Sequence, residues 1–337
     1  MPPSRPPAQR PLRLLTAAAV FLLCLVLAPL GTLTARADGP VQHPGGRVWS
    51  QDLLQQGERA FVTRATGRGA RQTTRAARFP DARTTGAPPR RRLSAYVGPC
   101  TITRPGTVIR RRVVSCDLDV RAADVTILRS LVRGTVSTGT EPRTGYSVRI
   151  EHSTVDVSPG SARMVTGVEA VHVRVVASEV RGGNRGINCW YDCVVRRSWV
   201  HGQDTDPTGV WHESGIRMGQ RARIVANTIA CDAPEVPPDA GCSAPLTGYG
   251  DFGPVRDNRI ERNLFVATTG GVCAYGGSSG GKPYSDDAEN VRFIDNVFER
   301  GDTGNCGYWA PILDFDESAP GNEWAGNAWS DGGRISP

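Results

Sequence analysis

One short pattern recurs from about Gly98 onward: an apolar residue, two residues, Ser or Asn, one residue, and a second apolar residue. Its instances are Ile127/Ser130/Val132, Ile150/Ser153/Val155, Val175/Ser178/Val180 and Val195/Ser198/Val200. It continues as Ile224/Asn227/Ile229, Ile260/Asn263/Phe265, Phe293/Asn296/Phe298 and Trp324/Asn327/Trp329. Val113/Cys116/Leu118 fits as a ninth. The Ser/Asn positions are 23, 25, 20, 29, 36, 33 and 31 residues apart. Self-similarity at such a period means a stack of like units. Two short strands flank a sharp bend, and Ser or Asn takes the bend, where Asn tolerates a left-handed backbone. The flanking apolar positions point inward and build one continuous core. Alternation such as Val148-Arg149-Ile150 puts arginine outside and aliphatics inside.

Propeller blades need about 40 residues each, longer than the early spacings, and a leucine-rich repeat needs a leucine framework that is missing. The fold expected is all-β: a right-handed parallel β-helix solenoid with long loop insertions in its C-terminal coils. Across roughly residues 100–330 the eightfold repeat resembles the pectate-lyase-like β-helix superfamily. That resemblance implies a secreted bacterial repeat protein acting on an extracellular polysaccharide.

The leader supports export. Arg5, Arg10 and Arg13 precede an apolar run from Leu14 to Leu30, and Ala35-Arg36-Ala37 reads as a cleavage site. The run is short for a membrane span. Residues 1–37 are therefore assigned to a signal peptide, 38–92 to an Arg-rich disordered linker with one short candidate helix around 51–61, and 93–337 to the β-helix. No membrane span is expected after cleavage, and the mature chain is expected to be an extracellular monomer. The formal charge of +7 invites a nucleic-acid partner. It sits in the leader and linker, however. Residues 93–337 carry 25 basic against 29 acidic residues, which argues against nucleic acid.

Eight cysteines remain after cleavage, and an even count in an exported chain reads as disulfides rather than a metal site. Pairing by sequence neighbours gives Cys100–Cys116, Cys189–Cys193, Cys231–Cys242 and Cys273–Cys306.

The spacers lengthen after Ser198, and insertions in a solenoid tend to emerge on one binding face. The four long ones span 201–220, 230–256, 266–289 and 300–321. The first holds His201, Asp204, Asp206 and His212-Glu213-Ser214-Gly215-Ile216-Arg217. This resembles the His-x-Asp-Gly/Ala-Ile-Gln motif of secreted β-helix proteins, with Ser214 at the Asp position and Arg217 at the Gln position. Glu213, one residue away, points to the opposite face of a strand. The second spacer ends in Tyr249-Gly250-Asp251-Phe252-Gly253-Pro254, similar to an Asn/Asp-Phe-Gly-Pro segment of the same group. The third places Lys282, the sole lysine, between Tyr275 and Tyr284 amid glycines. Tyrosine faces suit sugar rings, and glycine admits close approach of a glycan. The fourth holds Trp309, Asp314 and Asp316, and the two acids share a face if that segment is a strand, where they could bind Ca²⁺.

A hydrolase needs two carboxylates about 5–9 Å apart, from a pool that includes Asp204, Asp206, Glu213 and Asp251. A uronate lyase needs a base and a cation, from Arg217, Lys282, Tyr249, Tyr275 and His212. The Arg-x-Pro-x-x-Arg pattern of pectate lyases and the Arg-Gly-x-Lys pattern of polygalacturonases are absent. The expected groove therefore joins His212, Glu213, Asp251 and Lys282 as catalytic residues. Asp204, Asp206, Arg217, Tyr249, Tyr275, Tyr284 and Trp309 are its expected substrate contacts. A non-catalytic glycan-binding or cell-surface structural protein is the alternative.

Overall fold

A computed structural model describes residues 79–158 and 164–337. The signal-peptide assignment and the linker up to residue 78, including its candidate helix, lie outside the described residues. The described chain is a parallel β-helix: each coil contributes one strand to each of three parallel sheets, which hold ten, nine and nine strands. We call these sheets A, B and C. The chain runs C to A to B through each coil.

The repeat maps onto this geometry directly. Its first apolar positions stack in sheet C, Ile127 on Ile150, Val175, Val195, Ile224, Ile260, Phe293 and Trp324. Its second apolar positions stack in sheet A, from Val132 through Val155, Val180, Val200, Ile229 and Phe265 to Phe298 and Trp329. Nearly all are sealed from solvent. Toward the C-terminus aromatics replace aliphatics, with Phe265 and Phe298 stacked at 4.6 Å between ring centres.

Between sheets C and A the Ser and Asn side chains form one ladder. Each backbone N–H donates to the side-chain oxygen on the next coil: Ser130 to Ser153 at 3.0 Å, Ser198 to Asn227 at 2.9 Å, Asn263 to Asn296 at 3.0 Å. The Ser or Asn does not itself take the left-handed conformation, as the sequence suggests. The residue before it does: Arg129, His152, Ala177, Arg197, Ala226, Arg262 and Asp295 have φ between 47° and 56°. The buried polar side chain satisfies backbone donors, which is why the small hydrogen-bonding residue is needed one position later.

The ninth match is also corrected. The first rung is Ile109/Arg112/Val114, since Ile109 pairs with Ile127 and the Arg112 N–H donates to Ser130 Oγ. Cys116 lies beyond this rung, bonded to Cys100. All four disulfides join the cysteines that sequence proximity pairs.

Sheet B is the strand that the repeat does not contain. Its strands Arg185–Tyr191, His212–Gln220 and Gly241–Thr247 are the longest among the described residues. The long spacers are thus only partly loops. Ordered structure also begins ahead of residue 93. Residues 79–92, within the segment assigned to the linker, form a strap along the bends between sheets C and A. It is tied by Gly86 N–H to Ala177 O, Ala87 N–H to Thr154 Oγ1, and Thr228 Oγ1 to Pro80 O. Among the described residues no helix is long and apolar enough to cross a membrane.

Candidate functional site

Sheet B carries its own repeat, a glycine followed by an aliphatic residue. Thr166-Gly167-Val168-Glu169, Arg185-Gly186-Ile187-Asn188 and Ser214-Gly215-Ile216-Arg217 lie in register on adjacent coils. The aliphatics are core residues. A Cβ on Gly186 would come within 2.4 Å of Val200 Cγ1, and one on Gly215 within 2.5 Å of Ala230 O. Glycine therefore lets sheet B approach sheet A closely. The residues on either side of each Gly–aliphatic pair form two columns, Thr166–Arg185–Ser214–Ala244 and Glu169–Asn188–Arg217–Thr247.

These columns lead into a cleft of about 360 Å³ at the end of the strands, lined by Asn188, Trp190, Arg217, Gln220, Tyr249 and Phe252 among others. Arg217 is its centre. Its guanidinium contacts the Asp251 carboxylate, and both side chains are largely buried. It lies 5.4 Å from the Tyr249 ring centre and 5.2 Å from that of Phe252, within cation–π range. Tyr249 packs on Tyr275 at 4.9 Å. Burial, and then the neighbouring Tyr275, pushes the Tyr249 hydroxyl well above its ordinary 10. Trp190 packs edge-on against Phe252 at 6.2 Å and donates Nε1–H to Glu169 at 3.4 Å. Arg185 donates from Nε to Ser214 Oγ at 3.0 Å. Desolvation, reinforced by Arg217, lowers the Arg185 guanidinium from 12.5 to about 10.

A second cleft, of about 320 Å³, lies at the other end of the sheet B strands, lined by His212, Glu235, Asp239, Tyr308 and Trp309. His212 Nε2 is 3.5 Å from Asp239 Oδ1. Tyr308 and Trp309 stay mostly exposed, as does Trp211 nearby.

The residues expected in one groove are thus divided. Arg217 and Tyr249 line the first cleft, and Asp251 and Tyr275 contact them without lining it. The loop of Lys282 and Tyr284 docks beside them through Tyr284 N–H to Gly250 O, while the Lys282 side chain is exposed. His212 and Trp309 belong to the second cleft, with Arg217 five residues along the same strand, about 16 Å away. Glu213 is fully buried and lines neither cleft. Its Oε1 accepts Asp206 N–H at 3.1 Å, its Oε2 has no hydrogen-bond partner, and burial pushes the carboxyl up to about 7. Asp206 is a loop fastener: burial opposes its charge, yet donors from Thr208, Trp211 and Val210 hold it at about 2. Asp204 Oδ2 accepts Gly183 N–H. Asp314 and Asp316 do not share a strand face, because the strand ends at Leu313 and Asp314 sits in a left-handed bend. Among the described residues no group of three or more His, Cys, Asp or Glu side chains could hold a metal ion.

No family model matches the chain, and no curated protein or solved structure matches it either. The site therefore rests on its own geometry. Arg185, Asn188, Trp190 and Glu169 are absent from the sequence-derived set. The Gly-aliphatic repeat at 167–168, 186–187 and 215–216 is the signal that would have found them.

Proposed function

We propose that the protein is a secreted, monomeric β-helix protein of the pectate-lyase-like kind that binds an extracellular polysaccharide in the Arg217 cleft. The carrying observation is the Trp190–Phe252–Tyr249–Tyr275 aromatic series set around the Arg217–Asp251 pair. Aromatic rings suit the apolar faces of sugars, and an oriented guanidinium and carboxylate suit their hydroxyls. Four disulfides fit an oxidising, extracellular setting.

Geometry in this cleft favours holding over cutting. A lyase base must accept a proton, whereas Tyr249 is held in its protonated form by burial. A hydrolase needs two available carboxylates, whereas Asp251 is committed to Arg217. Cleavage as a lyase or hydrolase is the second reading, and the His212–Asp239 pair beside Tyr308 and Trp309 favours it.

The test is a panel of uronate and neutral glycans. Binding that Trp190→Ala and Phe252→Ala each weaken about tenfold, roughly 1.4 kcal/mol, supports the cleft. Neither unsaturated-uronate absorbance nor new reducing ends should develop on a bound glycan. Either product, lost in His212→Ala, would favour the second reading, and no glycan binding at all would overturn both.

A further inference from the structure

A third cleft, of about 530 Å³, lies between the strap and the first bends joining sheets C and A. Arg83 and Arg92 line it from the strap; Arg111, Arg129 and His152 line it from three successive coils. The last three occupy the left-handed bend positions, with φ of 52°, 50° and 47°. Their N–H groups donate to Leu128, Glu151 and Val176 carbonyls at 2.9–3.0 Å, so the column is held rigidly at the coil repeat of about 4.8 Å. No carboxylate lines the cleft. Two stand close by, and both are engaged: Asp81 accepts from Arg83 N, Thr84 N and Thr84 Oγ1, and Glu151 pairs with Arg149. Among the described residues none of the four guanidinium groups makes an ion pair or a side-chain hydrogen bond.

Four arginines without an ion pair line one concavity, and although Asp81 feels the charge of Arg83 and Glu151 that of His152 and Arg129, the lining itself is positive and suited to an anion. Guanidinium forks match carboxylate and sulfate oxygens two at a time. The remaining lining is Ala82, Thr84, Thr85, Gly86, Ala87 and two prolines, and His152 is the one ring in the cleft, so it lacks the series of aromatic platforms on which successive bases stack. We infer that this cleft binds an acidic polysaccharide through its carboxylate or sulfate groups, at a site separate from the Arg217 cleft.

The full secreted chain should be titrated with polygalacturonate and heparin, and with dextran and a single-stranded oligodeoxynucleotide as controls. Arg111→Asn/Arg129→Asn removes two charges with a residue that tolerates the left-handed backbone. It should weaken binding of the preferred acidic polymer at least about tenfold at low salt and flatten its salt dependence. Arg83→Ala, outside the coils, should weaken it in the same direction. The arginine double variant should leave the affinity for a neutral glycan held in the Arg217 cleft unchanged, which separates this site from the proposed function. Preference for polygalacturonate identifies carboxylate, and preference for heparin identifies sulfate. Unchanged affinity in both arginine variants, no binding of either polymer, or tighter binding of the oligonucleotide would overturn the inference.

Discussion

Arg185 Nε donates to Ser214 Oγ at 3.0 Å across adjacent strands of sheet B. Ser214 stands where the motif it resembles carries aspartate, so Arg185 has a neutral partner; desolvation, and then the charge of Arg217, lower its guanidinium to about 10. Ser214→Asp would supply a charge-assisted bond in a desolvated place. The variant should gain about 1 kcal/mol of stability at pH 7, and the gain should persist at high salt because a buried pair is little screened. A thermal midpoint no higher than wild type at either salt concentration would contradict this.

Asp251→Asn removes the counter-charge of Arg217, whose side chain is only 11% exposed. Breaking a largely buried pair from one side costs about 3 kcal/mol. Urea denaturation should show that loss, while Asp286→Asn, at an exposed position, should change stability by less than about 0.5 kcal/mol.

Asn263 occupies the middle of the ladder and is fully buried. Its Oδ1 accepts from Asn227 N–H and Nδ2–H, and its Nδ2 donates to Ile224 O and Asn296 Oδ1. Asn263→Ala leaves buried donors and a carbonyl unpaired and should destabilise by about 3 kcal/mol or more. Thermal unfolding checks it. A loss below 1 kcal/mol would mean the ladder is incidental to stability.

Glu213 links stability to pH. Its folded pKa, about 7, lies above the model-peptide value of 4.5, so the folded state prefers the protonated form. The stabilisation is present below pH 4.5 and is lost as pH rises to 7, after which it levels off. Glu213→Gln keeps the acceptor for Asp206 N–H and removes the titration. Relative to wild type it should gain on the order of 2 kcal/mol between pH 4.5 and pH 7.5. Parallel stability curves for the two proteins would refute this assignment.

Disulfide pairing was legible because close sequence neighbours on one coil or adjacent coils are brought together by short loops. The groove was legible only in halves. Asp251, Arg217, Tyr249 and Tyr275 do converge, but His212 and Glu213 do not join them. A nine-residue strand separates its own ends by more than one cleft can span. Lys282 sits on the loop that Tyr284 N–H ties to Gly250 O, yet Lys282 itself is exposed, since that contact is made by another residue's backbone.

By itself the sequence determined the solenoid. Apolar residues at a constant offset from Ser or Asn can satisfy burial and backbone hydrogen bonding together only by stacking coil on coil. What the tertiary structure alone decided is which outward residues become neighbours. Arg185 reaches Ser214, and Arg83 and Arg129 line one cleft, across separations set by spacer length and by the path of the strap. No local periodicity records those distances, because outward side chains carry no packing requirement that would imprint a pattern on the chain.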